Sequence, residues 1–303
     1  MLHANDLIAQ MSSDLGMLPV HLRDIIRTAP IRYKVFFIPK RSGGLREVAQ
    51  PAREVKAIQR WLIRRLAPLL PLHDAATAYR TGASIRQNAQ RHVASNYMLK
   101  MDFRNFFPSI VGADIVRHLE RYCGEIYDAS AIKLIAYVCT WARNRQGPLR
   151  LCIGAPSSPL LSNSVMFDFD VRLAATAQAD GVSYSRYADD LALSATNSGA
   201  LSIYPSLVLE ISERLDYPRL AINEQKTVFA SRAGRRVITG ITLTADHKIS
   251  IGRERKRAIR AMYHRMVLGQ LNADEKQELA GLISFAEDIE PGFAAWLGKS
   301  VNG

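Results

Sequence analysis

Cysteine is scarce. The 303-residue chain has three, Cys123, Cys139 and Cys152, an odd set with no close pair. That excludes a disulfide framework and offers no thiolate zinc cluster, so reduced core thiols are expected. Long apolar runs are missing too. The most apolar stretch, Leu66 to Leu72, is interrupted by Pro68 and Pro71 and is far too short to cross a bilayer. The first residues show no basic segment followed by an apolar one, so no signal peptide and no membrane partner are expected, and the expected setting is cytoplasmic. Internal repeats and low-complexity segments are absent. Acid is in short supply: 28 Asp and Glu stand against 40 Lys and Arg, a formal net charge of +12. A globular chain this basic is expected to meet a polyanion, of which nucleic acid is the commonest.

The rest of the composition is ordinary, 48% hydrophobic and 22% charged, and the length suits about two subdomains around a shared core. Residues 5–28 read as one or two short helices with Pro19 as a break. Tyr33 to Pro39 and Leu45 to Ala49 read as strands flanking the turn Lys40-Arg41-Ser42-Gly43-Gly44, a basic β-hairpin. Val55, Ile58, Leu62 and Leu66 recur at helical spacing. Tyr97 to Phe103 is a strand with an acid near its end. Helices are expected over Asp114–Tyr122, Ala129–Trp141, Leu160–Ala177 and Tyr204–Leu215, a loop over Gly147–Pro159, and short strands from Arg236 to Ile251. A strongly basic helix follows from Arg253 to Leu268, then an acidic amphipathic stretch from Asp274 to Glu290. This irregular mixture predicts an α+β fold.

The most informative residues are Tyr187-Ala188-Asp189-Asp190, set between two β-type runs, Val182–Tyr187 and Leu191–Ser194. Two adjacent acids at a hairpin tip repel each other, and solvent or Asx-turn hydrogen bonds can make them tolerable. The other reading is a divalent metal site. Hard oxygen ligands suit Mg²⁺, and Asp102, at the end of the Tyr97 strand, is the natural third acid. Two ions roughly 4 Å apart on such a set would activate a hydroxyl and stabilise a leaving pyrophosphate.

Asp102 with Phe106-Phe107-Pro108-Ser109-Ile110, then Gly154-Ala155-Pro156-Ser157-Ser158-Pro159, then Tyr187-Ala188-Asp189-Asp190, then Asn223 with Lys226-Thr227, resembles the ordered motif set of reverse transcriptases. Within that superfamily the chain most resembles the enzymes of bacterial retrons. The hairpin Ile38–Glu47 fits, as do Asn88-Ala89-Gln90-Arg91-His92 and Ile238-Thr239-Gly240, similar to the family's Asn-Ala-x-x-His and Val-Thr-Gly elements. A group II intron-like or other bacterial reverse transcriptase is the alternative, and the C-terminal DNA-binding and nuclease region of intron enzymes is missing. One position departs from the pattern: Ile153 stands where many reverse transcriptases carry Gln, which puts a sugar and template contact in doubt.

The resemblance implies a right-hand polymerase: N-terminal helices and fingers over residues 1–100, a palm over 101–235 with fingers helices interleaved at about 115–155, and a primer-grip-like hairpin and short helical thumb over 236–303. It implies two Mg²⁺, or Mn²⁺ in their place, on Asp102, Asp189, Asp190 and the Phe103 carbonyl, with the three aspartates catalytic. Lys40 and Arg46 would face the triphosphate of a dNTP, with Ala155 beside it. Phe107 would block a ribose 2′-OH, with core packing as the alternative. Lys226 would approach the phosphates, or lie on the surface. Asn88, His92, Thr239 and Gly240 are candidates for RNA contact, with a structural role open for Asn88 and His92. Between Ser231 and Arg260 nine Lys and Arg face two acids, and Arg253, Arg257, Arg260 and His264 share one stripe of the basic helix opposite Ile259, Met262 and Met266. That stripe reads as a phosphate-tracking face. The partners implied are a cognate noncoding RNA (msr–msd), its branched RNA-linked DNA product (msDNA), and an effector or toxin protein in anti-phage defence. A mainly scaffolding or antitoxin role is the reading from a different class.

Overall fold

The computed structural model describes residues 1–40 and 43–302. Two helices open it, α1 (Ala4–Leu15) and α2 (Pro19–Thr28), with Pro19 in the first turn of α2, where its missing N–H is no loss. β1 (Tyr33–Pro39) and β2 (Leu45–Pro51) pair antiparallel from Tyr33 opposite Pro51 to Pro39 opposite Leu45. Arg41 and Ser42 of the expected hairpin lie outside the described residues. α3 (Arg53–Leu66) buries Val55, Ile58, Trp61, Leu62 and Leu66 on one face. After α4 (Ile85–Gln90) and β3 (Tyr97–Arg104) come α5 (Phe106–Ser109), α6 (Gly112–Cys123), α7 (Ala129–Cys139), α8 (Ser158–Val165) and α9 (Phe167–Ala179). β4 (Ser183–Tyr187), β5 (Asp190–Ala195), α10 (Tyr204–Glu213), β6 (Ala221–Ile222) and β7 (Val228–Ser231) complete the centre. The last part holds β8 (Arg236–Ile238), β9 (Ile241–Leu243), β10 (Ile249–Ser250), α11 (Arg253–Val267), α12 (Ala273–Ile289) and α13 (Phe293–Asn302).

β3 is the spine of the main sheet. One edge pairs with β5, which pairs with β4; the other pairs with β7 and then β6, all antiparallel. A strand flanked on both sides explains the near-continuous burial along Tyr97–Phe103. Helices α1–α3 and α6–α10 cover it and share one large apolar core. A second core joins β8–β10, α11–α13 and Ala89 of α4. The architecture is thus mixed helices and antiparallel sheets, as the irregular element order predicts.

The single helix expected over Leu160–Ala177 is two. The chain breaks at Met166, whose φ of −82° and ψ of 3° end α8 and begin α9. The apolar run through this region carries no Pro or Gly to mark the break. The acids Asp168 and Asp170 fall in the first turn of α9, where the helix dipole favours negative charge.

Candidate active site and its relatives

Strand pairing alone assembles the carboxylates. Asp102 on β3 and Asp190 on β5 are direct cross-strand partners. Asp189 sits in the two-residue turn between Tyr187 and Asp190, beside Ala188 at φ 57°. Its carbonyl accepts the Phe103 N–H at 3.1 Å, tying the turn to the strand of Asp102. Phe103, expected to lend its carbonyl, is buried beside the cluster and contributes its N–H here.

The turn is bolted from below. Arg186 is fully buried, and its guanidinium grips the buried Asp170 carboxylate at 2.6 and 2.8 Å. The same side chain donates to Asn163 Oδ1 at 3.2 Å and to the Ala188 carbonyl at 3.0 Å, and the Tyr184 hydroxyl donates to Asp170 at 2.7 Å. Asp170 thus has a structural role, as the buried counter-ion of Arg186.

Burial and the charges of Asp190 and Asp102 push the Asp189 carboxyl up to about 6. Burial also raises Asp190, opposed by the nearby cations Lys100, Lys226 and Arg46. Asp102 is buried and already engaged: Lys226 Nζ lies 2.9 and 3.0 Å from its two oxygens, and Asn223 Nδ2 donates to it at 3.2 Å. Lys226, expected near phosphates, is thus the counter-ion of the first carboxylate in this structure. Among the described residues no three acid, histidine or cysteine side chains close on one point. The chemistry of the donor set nevertheless suits a hard divalent cation. Its ligands are carboxylate oxygens, crowded enough to oppose one another's ionisation, so a cation would be attracted by every one of them.

A cleft of about 360 Å³ is lined by Phe107, Ala155, Ile153 and Tyr79 and by two cations of α3, Lys56 and Arg60; Tyr79 is the lining residue that feels the charge of Asp189. Phe107 is half-buried on α5, edge-on to Phe106 at 5.3 Å. The loop bearing Ala155 docks on β2 through the Ala49 N–H, which donates to the Ile153 carbonyl at 2.9 Å. Gly154 is required there: its φ is 113°, and a Cβ would come within 2.8 Å of the Ala49 carbonyl oxygen. Lys40 and Arg46 are exposed at the end of the β1–β2 hairpin, and neither has an ion-pair partner among the described residues. The charge of Arg46 reaches both Tyr79 and Asp190.

The remaining candidates fall into two groups. Arg253, Arg257 and Arg260 stand exposed on α11 without an ion-pair partner among the described residues, opposite the buried Ile259. Asn88 and His92, in contrast, are buried. α4 ends at Gln90, so His92 lies in the turn beyond it rather than on the same helix face. Its ring nitrogens each meet a serine hydroxyl at 2.8 Å, Ser194 on β5 and Ser185 on β4, and burial lowers its pKa to about 4. His92 therefore braces the carboxylate hairpin from inside, and neither buried side chain is presented to a nucleic acid. Thr239 and Gly240 form the β8–β9 turn, at φ 47° and 83°.

Sequence reasoning missed Lys56, Arg60, Tyr79 and the Arg186–Asn163 link. Lys56 and Arg60 had a signal, two cations four residues apart on the face of α3 opposite its apolar stripe. The others join segments distant in sequence and had none.

The motif residues now stand together in space, and comparison with known proteins agrees. The reverse transcriptase (RNA-dependent DNA polymerase) family model matches residues 38–264. The retron Ec83 reverse transcriptase of Escherichia coli is 42% identical over 269 residues, 88% of this chain and 86% of that protein. The chain belongs to the reverse transcriptase family, in its retron branch. Its activity is RNA-directed DNA polymerisation. The E. coli retron Ec73 reverse transcriptase is 32% identical across 90% of this chain and 88% of that one. In fold, the telomerase of Candida albicans, solved with a fragment of telomeric RNA, overlays 91% of this retron enzyme and 58% of its own longer chain, with a TM-score of 0.53 at 12% identity. Among the described residues no helix is long and apolar enough to cross a membrane.

Proposed function

We propose that this reverse transcriptase copies its own noncoding RNA (msr–msd) into msDNA, starting from the 2′-OH of a guanosine in that RNA, so that a branched RNA–DNA hybrid remains bound. The observation that carries the reading is the juxtaposition of Asp102, Asp189 and Asp190 by strand pairing, joined through Tyr187 and Tyr79 to a cleft that Tyr79 lines with Phe107 and Ala155.

Asp102, Asp189 and Asp190 would hold two Mg²⁺, with Mn²⁺ as a substitute; when bound, the ions lower the pKa of the attacking hydroxyl and neutralise charge on the phosphates. The other tasks belong to the chain. Lys40 and Arg46 offset the negative charge of the dNTP triphosphate from the hairpin end. Lys226 has to leave Asp102 before a cation can approach that carboxylate, and its freed ammonium then faces the phosphates. Phe107 excludes a ribose 2′-OH. The free arginines of α11, Arg253, Arg257 and Arg260, track the duplex backbone, and Thr239 and Gly240 face the RNA from the β8–β9 turn. In domain terms, residues 1–100 serve as fingers, 101–235 as palm and 236–303 as thumb. The RNA–DNA complex would restrain a partner effector in anti-phage defence.

The test is expression of the enzyme with the noncoding RNA that flanks its gene. The expected product is single-stranded DNA joined to RNA by a bond that a 2′–5′ debranching enzyme cleaves, absent with Asp189→Asn. Extension solely from added 3′-OH primers would overturn the reading. Loss of phage resistance with Asp189→Asn would support the effector link.

A further inference from the structure

We propose that Tyr79 is a positioning residue for deoxynucleotide selection, holding the ring of Phe107 and so fixing the width of the sugar-facing end of the cleft. The proposal rests on the reading of Phe107 as the sugar gate and adds to it the group that keeps the gate in place.

Phe107 needs such a group. It sits on α5, a four-residue helix that starts from Asn105 in the left-handed region at φ 49°. A helix of one turn has no stability of its own, so the ring is placed by what packs on it. Phe106 meets it edge-on at 5.3 Å, toward the core, and Tyr79 meets it at 6.4 Å from the cleft side. The Tyr79 ring also lies 6.3 Å from that of Tyr187, the first residue of the carboxylate motif. Both separations fall in the range at which aromatic pairs attract. Tyr79 therefore bridges the gate and the catalytic hairpin, and with Phe107 and Ala155 it lines one cleft.

Fold stability does not explain this residue. Its side chain is large and apolar yet 53% exposed, and its backbone is at φ 59°, a region bulky residues rarely adopt. Such strain persists only where the surroundings over-determine it, and it gathers at functional sites. The surroundings here are specific. The Thr77 N–H and hydroxyl both donate to the Arg186 carbonyl, at 2.8 and 3.1 Å. The Ala78 carbonyl accepts from Asn163 Nδ2 at 2.8 Å, and the Arg80 guanidinium donates to the His73 carbonyl at 3.0 Å. Asn163 Oδ1 in turn accepts from Arg186, the side chain that holds the Ala188 carbonyl. One buried guanidinium thus anchors both the loop of Tyr79 and the turn of Asp189. The gate's buttress is registered to the carboxylates rather than to the β1–β2 hairpin.

The experiment measures kcat and KM for single additions of dCTP and of CTP on an RNA template, using the full chain and the variants Tyr79→Phe, Tyr79→Ala, Tyr79→Leu and Phe107→Ala. Tyr79→Phe keeps the ring and should keep the dCTP/CTP preference. Tyr79→Ala and Tyr79→Leu should each lower that preference by about tenfold, mainly by lowering KM for CTP, as expected when a steric wall loosens. The ratio is internal to each variant, so a general loss of activity does not move it, and Tyr79→Leu keeps a large apolar side chain if Tyr79→Ala folds poorly. An unchanged ratio in both, with Phe107→Ala relaxed, overturns the role of Tyr79 and leaves the gate standing. An unchanged ratio in Phe107→Ala itself removes the gate, and Tyr79 with it.

Discussion

The β4–β5 hairpin turns through Ala188 at φ 57° and the β8–β9 hairpin through Thr239 at φ 47°, in each case with a side chain where glycine is easier. Each also has a buried arginine close by in sequence. Under the first, Arg186 is matched by the Asp170 carboxylate, to which the Tyr184 hydroxyl also donates, and by Asn163 and the Ala188 carbonyl. Under the second, among the described residues, Arg236 donates only to the carbonyls of Ser95 and Thr244, its Nε has no partner, and Thr239 Oγ1 is buried without one. A polar network that is fully satisfied rigidifies what it holds, whereas one half-satisfied does not. The difference teaches where this enzyme is pre-organised. The carboxylates, which must sit close together against their own repulsion, are fixed by covalent neighbours and buried bonds. The β8–β9 turn keeps unused hydrogen-bonding capacity in its interior, so it is held less firmly than the first.

The largest expected effect separates chemistry from scaffold at the first hairpin. Asp189→Asn and Asp190→Asn should each reduce primer extension by at least about 10³-fold, because a ligand charge is lost from a site that must offset triphosphate repulsion. RNA binding should persist; near-parental extension by both variants would refute the assignment. The next effect contrasts the two arginines. Asp170→Ala leaves Arg186 buried and uncompensated and should cost about 3 kcal/mol or more of stability in denaturant unfolding. Arg236→Met removes a buried cation that has no carboxylate partner among the described residues, and should cost only about 1–2 kcal/mol, the penalty of two unmatched carbonyls. Equal losses would mean the two supports are not different in kind.

This contrast marks what was legible in the chain. The four motifs and the alternating apolar runs indicated the strands, and strand register then brought Asp102 opposite Asp190 with no further information. α3, α10 and α11 follow from helical spacing. The break at Met166 did not, because a stretch with no Pro or Gly between Leu160 and Ala177 reads as one helix and the turn is imposed by packing. α4 and α13 were overlooked for lack of a long periodic stretch, and β6 is only two residues long, below any pattern. Asn88 and His92 drew attention as a family element, yet the exposure that decides between contact and support is tertiary: His92 finds Ser185 and Ser194 about a hundred residues away. The Lys226–Asp102 pair is hidden for the same reason.

A smaller effect follows from the crowding of acids at the first hairpin. In the folded chain Asp189 titrates at about 6, above the ordinary 3.8, because burial and two carboxylates disfavour its charge. A raised carboxyl pKa favours folding below the ordinary value, where both states hold the proton, and that contribution is lost as pH rises through about 6. Without divalent cations Asp189→Asn should therefore be more stable than the parent at pH 8 by about 1–2 kcal/mol, the difference closing toward pH 4. Melting in chelator at several pH values tests this; a gain that does not vary with pH would assign it to packing. Because the carboxyl must lose its proton to bind a cation, extension should also fall below about pH 6.

The smallest effect lies at the second hairpin. A β-branched residue at φ 47° is strained by about 1–3 kcal/mol, while glycine at the same place costs about 0.5–1 kcal/mol through the freedom it gains in the unfolded chain. Thr239→Gly should then stabilise the protein by about 0.5–1 kcal/mol, also removing an Oγ1 that is buried without a hydrogen-bond partner among the described residues. Ala188→Gly should gain nothing, since Ala188 is buried, carries less strain than a branched side chain and loses a packed methyl. If the strain at Thr239 is retained for contact with RNA, its relief should weaken binding of the cognate RNA more than that of a scrambled one. Unfolding midpoints and binding of both RNAs at fixed salt decide the matter. Greater stability with unchanged RNA discrimination would leave Thr239 as a strained turn and move recognition elsewhere, first to the free arginines of α11.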